Sequence, residues 1–89
     1  MSKAPLPEYR KARCAALRAF ATIQTDGFAP DVIRFFNEKH GFTIRISHDD
    51  THLQRIIPWS QWETARHPVV RMTVSEMLET LARADVERG

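Results

Sequence analysis

Cysteine, glycine and long apolar runs are all scarce in this sequence, and each scarcity excludes a class of protein. The one cysteine, Cys14, cannot form a disulfide within the chain and fits a reducing compartment. No apolar run approaches the length of a membrane span, and the N-terminal residues lack the apolar core of a secretory signal. We therefore expect a cytoplasmic protein with no membrane partner.

The residue patterns that carry catalysis or hold a cofactor are missing as well. The three glycines do not form a phosphate-binding loop, and no serine has the context of a nucleophile. The segment HDDTH at 48–52 contains residue types that bind divalent metals, but its spacing is not specific, and two aspartates are expected in a turn. The sequence predicts a protein that is not an enzyme and has no metal and no cofactor.

Composition and charge are those of one small globular domain with unequal ends. The chain has 89 residues, of which 43% are hydrophobic and 27% charged, so we expect a single α+β domain over 1–89 with residues 1–6 frayed. The formal net charge of +2 divides into +4 over 1–24, zero over 25–72 and −2 over 73–89. Such an asymmetry can steer a charged partner, or can let two helices of the fold attract each other.

The segment 42–59 predicts a β-hairpin around which the other elements are arranged. Phe42, Ile44 and Ile46 alternate with polar residues, as one buried face of a strand requires. The second arm is rich in β-favouring residues, and Asp49 and Asp50 lie between the arms as turn residues. A lone hairpin is marginally stable, so helices must cover its apolar face.

Helical periodicity and end signals predict the remaining elements. Two helices, over 7–24 and 30–40, precede the hairpin, and Gly41 has the character of a C-terminal cap for the second. Capping-box patterns predict a short helix over 60–66 and a final amphipathic helix that begins at Thr73. The segment 69–72 can add a third antiparallel strand to the hairpin. The predicted fold class is α+β.

Tryptophan and arginine side chains cluster in sequence after the hairpin. These residues are Arg55, Trp59, Trp62 and Arg66. Arg66 follows Trp62 by one helical turn, so its guanidinium can lie over the indole. Tryptophan and arginine are enriched in interface hot spots, whereas the alternative is that at least one tryptophan closes the small core beneath the hairpin. We expect Trp59 in the core and Trp62 partly exposed.

The first predicted helix carries a basic group, which consists of Arg10, Lys11, Arg13 and Arg18. Arg10, Lys11 and Arg18 lie opposite the apolar face of this helix. One interpretation is a solvated outer face, and the other is a stripe that contacts phosphates.

Residues 9–42 resemble the start of the winged-helix DNA-binding domain of LexA-type repressors. The resemblance lies in a helix, the turn sequence DGFAP at 26–30, a second helix and the sequence HGF at 40–42. It implies a DNA-binding function, since the family continues with a recognition helix that enters the major groove. Here 43–47 has the pattern of a strand instead, so no DNA-contacting residue is carried over.

Two functional hypotheses follow from the sequence. The leading one is a small interaction protein, an inhibitor or adaptor of a larger machine, that binds another protein or its own copy as a homodimer through the tryptophan–arginine group. The alternative is a nucleic-acid-binding regulator that uses the basic first helix.

Overall fold

Three antiparallel strands follow one helix and precede two others along the chain. The computed structural model describes residues 6–23 and 29–88. The described residues form, in chain order, α1 (Leu6–Thr22), β1 (Val32–Asn37), β2 (Gly41–His48), β3 (Thr51–Pro58), α2 (Trp59–Ala65) and α3 (His67–Arg88). The strand order in the sheet is β1-β2-β3. The α+β class is confirmed, but the predicted order of helices and strands is wrong.

The predicted hairpin is confirmed as β2 and β3. The register places Ile46 opposite Leu53 and Phe42 opposite Ile57, and β2 is the central strand. The two aspartates form the turn, where Asp49 has a positive φ of 53° and its backbone N–H donates to Asp31 Oδ2 at 2.9 Å. Aspartate tolerates this conformation better than most residues, so the turn chemistry fits the sequence.

The segment predicted as a second helix is strand β1, which is antiparallel to β2. Its residues alternate between more and less exposed, with Ile33 and Phe35 packed toward the core and Val32, Arg34 and Phe36 outward. Six residues rich in β-branched and aromatic side chains fit either a helix or a strand, and pairing with β2 decides for the strand. The likeness to a winged-helix domain therefore does not extend to the fold.

The segment predicted as a third strand lies in helix α3. The buried Val69 and Val70 pack into the core from the first turn of α3, so burial overrides the strand preference of β-branched residues. Thr73 is not a cap, because its Oγ1 donates to the Val69 carbonyl at 2.8 Å inside the helix. The last helix therefore begins at His67 and not at Thr73, after a break at Arg66, which has a positive φ of 55°.

The core is built between the inner face of the sheet and helices α1 and α3. Four buried alanines on α1 allow close packing against α3. The buried hydrophobic residues are Ala12, Ala15, Ala16, Ala19, Phe42, Ile44, Ile46, Ile57, Trp62, Val69, Val70, Val74, Met77, Leu78 and Leu81. The first helix ends at Thr22, and residues 26–28 of the turn sequence at 26–30 lie outside the described residues.

Candidate binding surfaces

Trp62 belongs to the core and not to a surface, contrary to the sequence prediction. It is 1% exposed, and its indole Nε1–H donates to Glu8 Oε1 at 3.0 Å. Arg66 Nη1 donates to the same carboxylate oxygen at 3.0 Å, and the guanidinium lies 5.2 Å from the centre of the Trp62 ring. The expected contact between the two side chains is thus present, but it ties α2 to the start of α1.

The Glu8 carboxylate is held in its ionised form by this cluster. The hydrogen bond from the Trp62 indole lowers the pKa of Glu8 below its ordinary value, and burial opposes this effect. The hydrogen bond with Lys11 and the charges of Arg66 and Lys11 lower the pKa further. The Lys11 ammonium lies 3.3 Å from Glu8 Oε2, so one cation of the basic group on α1 already has an acidic partner.

Trp59 is half-buried and fastens the turn between β1 and β2. Its indole Nε1–H donates to the Glu38 carbonyl at 2.9 Å, and its backbone N–H donates to the His40 carbonyl at 3.1 Å. Its ring packs on Phe42, with 6.2 Å between the ring centres. Arg55 is exposed on β3 and donates to the Gln54 carbonyl. The four predicted residues therefore do not form one exposed surface, because Trp62 is buried.

The basic residues of α1 are exposed, as a solvated or phosphate-binding face requires. Arg10 and Arg18 make no ion pair with any residue that the structure describes. Arg13 lies against the sheet, with its guanidinium carbon 6.0 Å from the centre of the Phe35 ring. This contact places a cation beside the edge strand β1.

The sheet face that points away from the helices carries a different group of residues, which sequence reasoning missed. Phe42, Ile44 and Ile46 point inward, so the alternate residues of each strand point outward. We call this the outer sheet face. Its three cross-strand rows are Val32, Ser47 and His52, then Arg34, Arg45 and Gln54, then Phe36, Thr43 and Ile56.

Two arginines occupy the middle of the outer sheet face. Arg34 and Arg45 are directly opposite each other on β1 and β2, and both are exposed. Like charges at opposed positions destabilise a sheet. Neither guanidinium has an ion pair within residues 6–23 and 29–88. The centre of the outer sheet face is therefore positively charged.

Apolar side chains flank this arginine pair. Val32 is 41% exposed, Phe36 39% and Ile56 50%. Thr43 is buried between its neighbours Phe36 and Ile56, and its hydroxyl is hydrogen-bonded to the Glu38 carboxylate. The sequence of 32–37 shows no alternation of apolar and polar residues, because apolar side chains occupy both faces of β1, so this surface emerges only from the pairing of β1 with β2.

A groove also lies between α1 and α3. Its apolar lining includes Ala15, Ala19, Pro68 and Met72, and Met72 is 58% exposed. Its polar lining includes Arg18, Arg71, Glu76, Thr22 and Ser75. Charges of both signs line the groove, so it is less uniformly cationic than the centre of the outer sheet face.

The histidines and aspartates at the hairpin tip make local contacts. His48 Nδ1 lies 3.6 Å from Asp31 Oδ1, and His48 Nε2 lies 3.8 Å from Asp49 Oδ2. In the described part of the chain, no group of three or more histidine, cysteine or acidic side chains is placed to hold a metal ion.

Comparisons with known proteins assign no role to these surfaces. No protein-family model matches the chain, and the searches of curated proteins and of solved structures gave no match either. Among the helices described, none has the length and apolar character needed to cross a membrane. The functional information therefore comes from the residues and their geometry.

Proposed function

We propose that this protein is a non-enzymatic interaction protein that binds an anionic partner through its outer sheet face. The observation that carries the proposal is the exposed pair Arg34 and Arg45, which lie opposite each other without an acidic partner among the described residues. An inhibitor or adaptor of a larger machine would act in this way. The single cysteine supports a cytoplasmic location.

The pair is better explained by a ligand than by stability. Two like charges directly opposite in a sheet are unfavourable, by roughly 0.2–1 kcal/mol relative to neutral residues. An anionic group between them would convert this repulsion into charge-assisted hydrogen bonds, for which the planar guanidinium is well suited. The partly exposed Phe36 and Ile56 beside the pair add apolar contact area, and aromatic and arginine residues dominate binding energies at interfaces.

Retention on an immobilised polyanion tests this surface. The variant Arg34→Glu/Arg45→Glu is expected to elute at clearly lower salt than the wild type. The variant Arg55→Glu/Arg83→Glu has the same change in net charge at exposed positions outside this face, so it is the matched control. If both variants eluted at the same salt, net charge alone would explain retention, and the outer sheet face would have no special role.

Nucleic-acid binding through α1 remains a second candidate, supported by the exposed Arg10 and Arg18, which have no ion pair among the described residues. It predicts that Arg10→Glu/Arg18→Glu abolishes binding to DNA while Arg34→Glu/Arg45→Glu does not. The opposite result would assign any such binding to the sheet.

A further inference from the structure

The outer sheet face places an aromatic ring beside the arginine pair. Phe36 lies two residues from Arg34 on β1, so the two side chains leave the same face about 7 Å apart. Ile56 lies in the same row as Phe36, two strands away and thus about 10 Å across the sheet. The result is a shallow platform with cations at its centre and, along one side, Phe36 and Ile56 with Thr43 and its bound Glu38 carboxylate between them.

We infer that this platform binds single-stranded nucleic acid, with phosphates on Arg34 and Arg45 and an unpaired base stacked on Phe36. The inference rests on the proposed function, because it names the partner of the same face. Single strands combine the two features that the platform matches, namely closely spaced phosphates and exposed base faces.

Charge argues against a second copy of this chain as the occupant. A symmetric dimer through this face would bring two arginine pairs toward each other, and like charges brought together across an interface are costly. The charge also extends around the edge of the sheet, because Arg13 of α1 lies over Phe35 on the inner side of β1. Cations on both sides of one edge strand suit a polymer with a repeated negative charge.

The exposed ring argues for a single strand over a duplex. In a duplex the base faces are stacked inside the helix, so a protein contacts phosphates and base edges only. An exposed phenylalanine gains little from such a surface, whereas every unpaired base offers it a face for stacking. Phe36 is 39% exposed and makes no ring contact with any aromatic side chain that the structure describes, so its outer side is open to a base.

Fluorescence anisotropy with a labelled single-stranded DNA of mixed sequence tests this inference. An unlabelled RNA of the same sequence, the DNA duplex and polyglutamate serve as competitors. Two neutralised phosphates predict a salt slope of about −1.4, so the affinity is expected to fall about 7-fold between about 50 and 200 mM salt. The single strand is expected to compete better than the duplex, and polyglutamate is expected to compete poorly.

Variants separate stacking from charge. Loss of one base stack in Phe36→Ala is expected to weaken binding by about 5- to 150-fold, and Phe36→Trp is expected to retain it. Phe36→Leu keeps an apolar side chain without an aromatic face and is expected to bind as poorly as Phe36→Ala. Arg34→Glu/Arg45→Glu is expected to abolish binding, while Arg55→Glu/Arg83→Glu loses much less. Circular dichroism and thermal unfolding check that each variant is folded.

The outcomes distinguish this inference from the proposed function on which it rests. If polyglutamate bound through Arg34 and Arg45 while single strands did not bind, the partner would be an acidic protein surface, and only the inference would fail. Equal binding of duplex and single strand, with Phe36→Leu as good as the wild type, would also overturn the inference. If no probe bound in a manner that depends on the two arginines, both proposals would fail.

Discussion

Replacing Gly41 by alanine tests the register of the sheet at the point where sequence and structure disagree most. The sequence pattern makes Gly41 a helix cap, whereas the structure places it first in β2, opposite Pro58 of β3. A Cβ atom at this position would lie 2.5 Å from the Ile57 carbonyl oxygen and 2.7 Å from Cγ1 of Ile56. Contacts this short cannot persist, so the end of β3 must move.

The magnitude follows from two opposing effects. Forcing an extra methyl group into a packed site costs about 1–3 kcal/mol. The lower entropy of the unfolded chain with alanine in place of glycine returns about 0.4–1 kcal/mol. We expect a net loss of about 1–2 kcal/mol in the free energy of unfolding for Gly41→Ala. In a domain of this size, that loss lowers the melting temperature by about 4–16 °C.

Urea unfolding followed by circular dichroism measures this loss, and two further variants sharpen it. In an Ile56→Ala background, Gly41→Ala should cost less stability than it does in the wild type, because the contact with Cγ1 of Ile56 is removed. Part of the cost should remain, because the contact with the Ile57 carbonyl oxygen, a backbone atom, is still present. Gly41→Asn should be worse than Gly41→Ala in a strand, whereas a left-handed helix cap would tolerate asparagine better than alanine. A Gly41→Asn variant more stable than Gly41→Ala would refute the strand register.

Three further predictions concern the core, the Glu8 cluster and the arginine pair. Trp62→Ala should lower the free energy of unfolding in urea by about 3–5 kcal/mol, because Trp62 is the buried tryptophan. Trp59→Phe should lower it by only about 1 kcal/mol, the worth of the lost hydrogen bond to Glu38, and equal losses would contradict this assignment. Because the pKa of Glu8 is lowered in the folded chain, its ionised form stabilises the fold above the unfolded pKa of about 4.3, and this contribution is lost as the pH falls through the folded value. The stability difference between wild type and Glu8→Gln should therefore shrink from about pH 6 to about pH 3, and a difference that does not change with pH would show that Glu8 acts in another way. Arg34→Gln should raise the melting temperature by relieving roughly 0.2–1 kcal/mol of repulsion between Arg34 and Arg45. Arg83→Gln on the exposed side of α3 should leave the melting temperature nearly unchanged. A loss of stability in Arg34→Gln would mean that Arg34 and Arg45 do not repel each other.

Elements that bury one continuous face were predictable from the sequence. The alternation of Phe42, Ile44 and Ile46 predicts β2 because one face of that strand is buried throughout. The apolar face of α3 was likewise predictable, since Val74, Met77 and Leu81 recur at helical spacing over a long segment. These elements carry a strong periodic signal, and any compact arrangement must bury it.

Segments with weak local signals were decided by their neighbours. Residues 32–37 became a strand because β2 offers them an open edge, and residues 69–72 became helical because the core buries Val69 and Val70. The capping-box pattern at Ser60 is not used as predicted, because α2 already begins at Trp59 and makes no side-chain cap bond. Local hydrogen-bonding patterns of this kind are worth about 1 kcal/mol, which packing readily outweighs.

The candidate surface illustrates the same division. The residue types were visible in the sequence, and arginine and tryptophan are enriched at binding interfaces. Their placement was not predictable, because either Trp59 or Trp62 could have filled the core. The structure buries Trp62, whose indole N–H donates to Glu8, a residue 54 positions away in the chain. Arg34 and Arg45 come together only when β1 pairs with β2.

The sequence by itself determined the α+β fold class, the central hairpin and the apolar face of the last helix, because each depends on composition or on a repeating local pattern. The tertiary structure decided the secondary structure of 32–37 and 69–72, and it decided that Trp62 is buried in place of Trp59. It also decided which residues form the exposed cationic face. Those features depend on contacts between residues far apart in the chain, and their free energies exceed the small local preferences that a sequence pattern records.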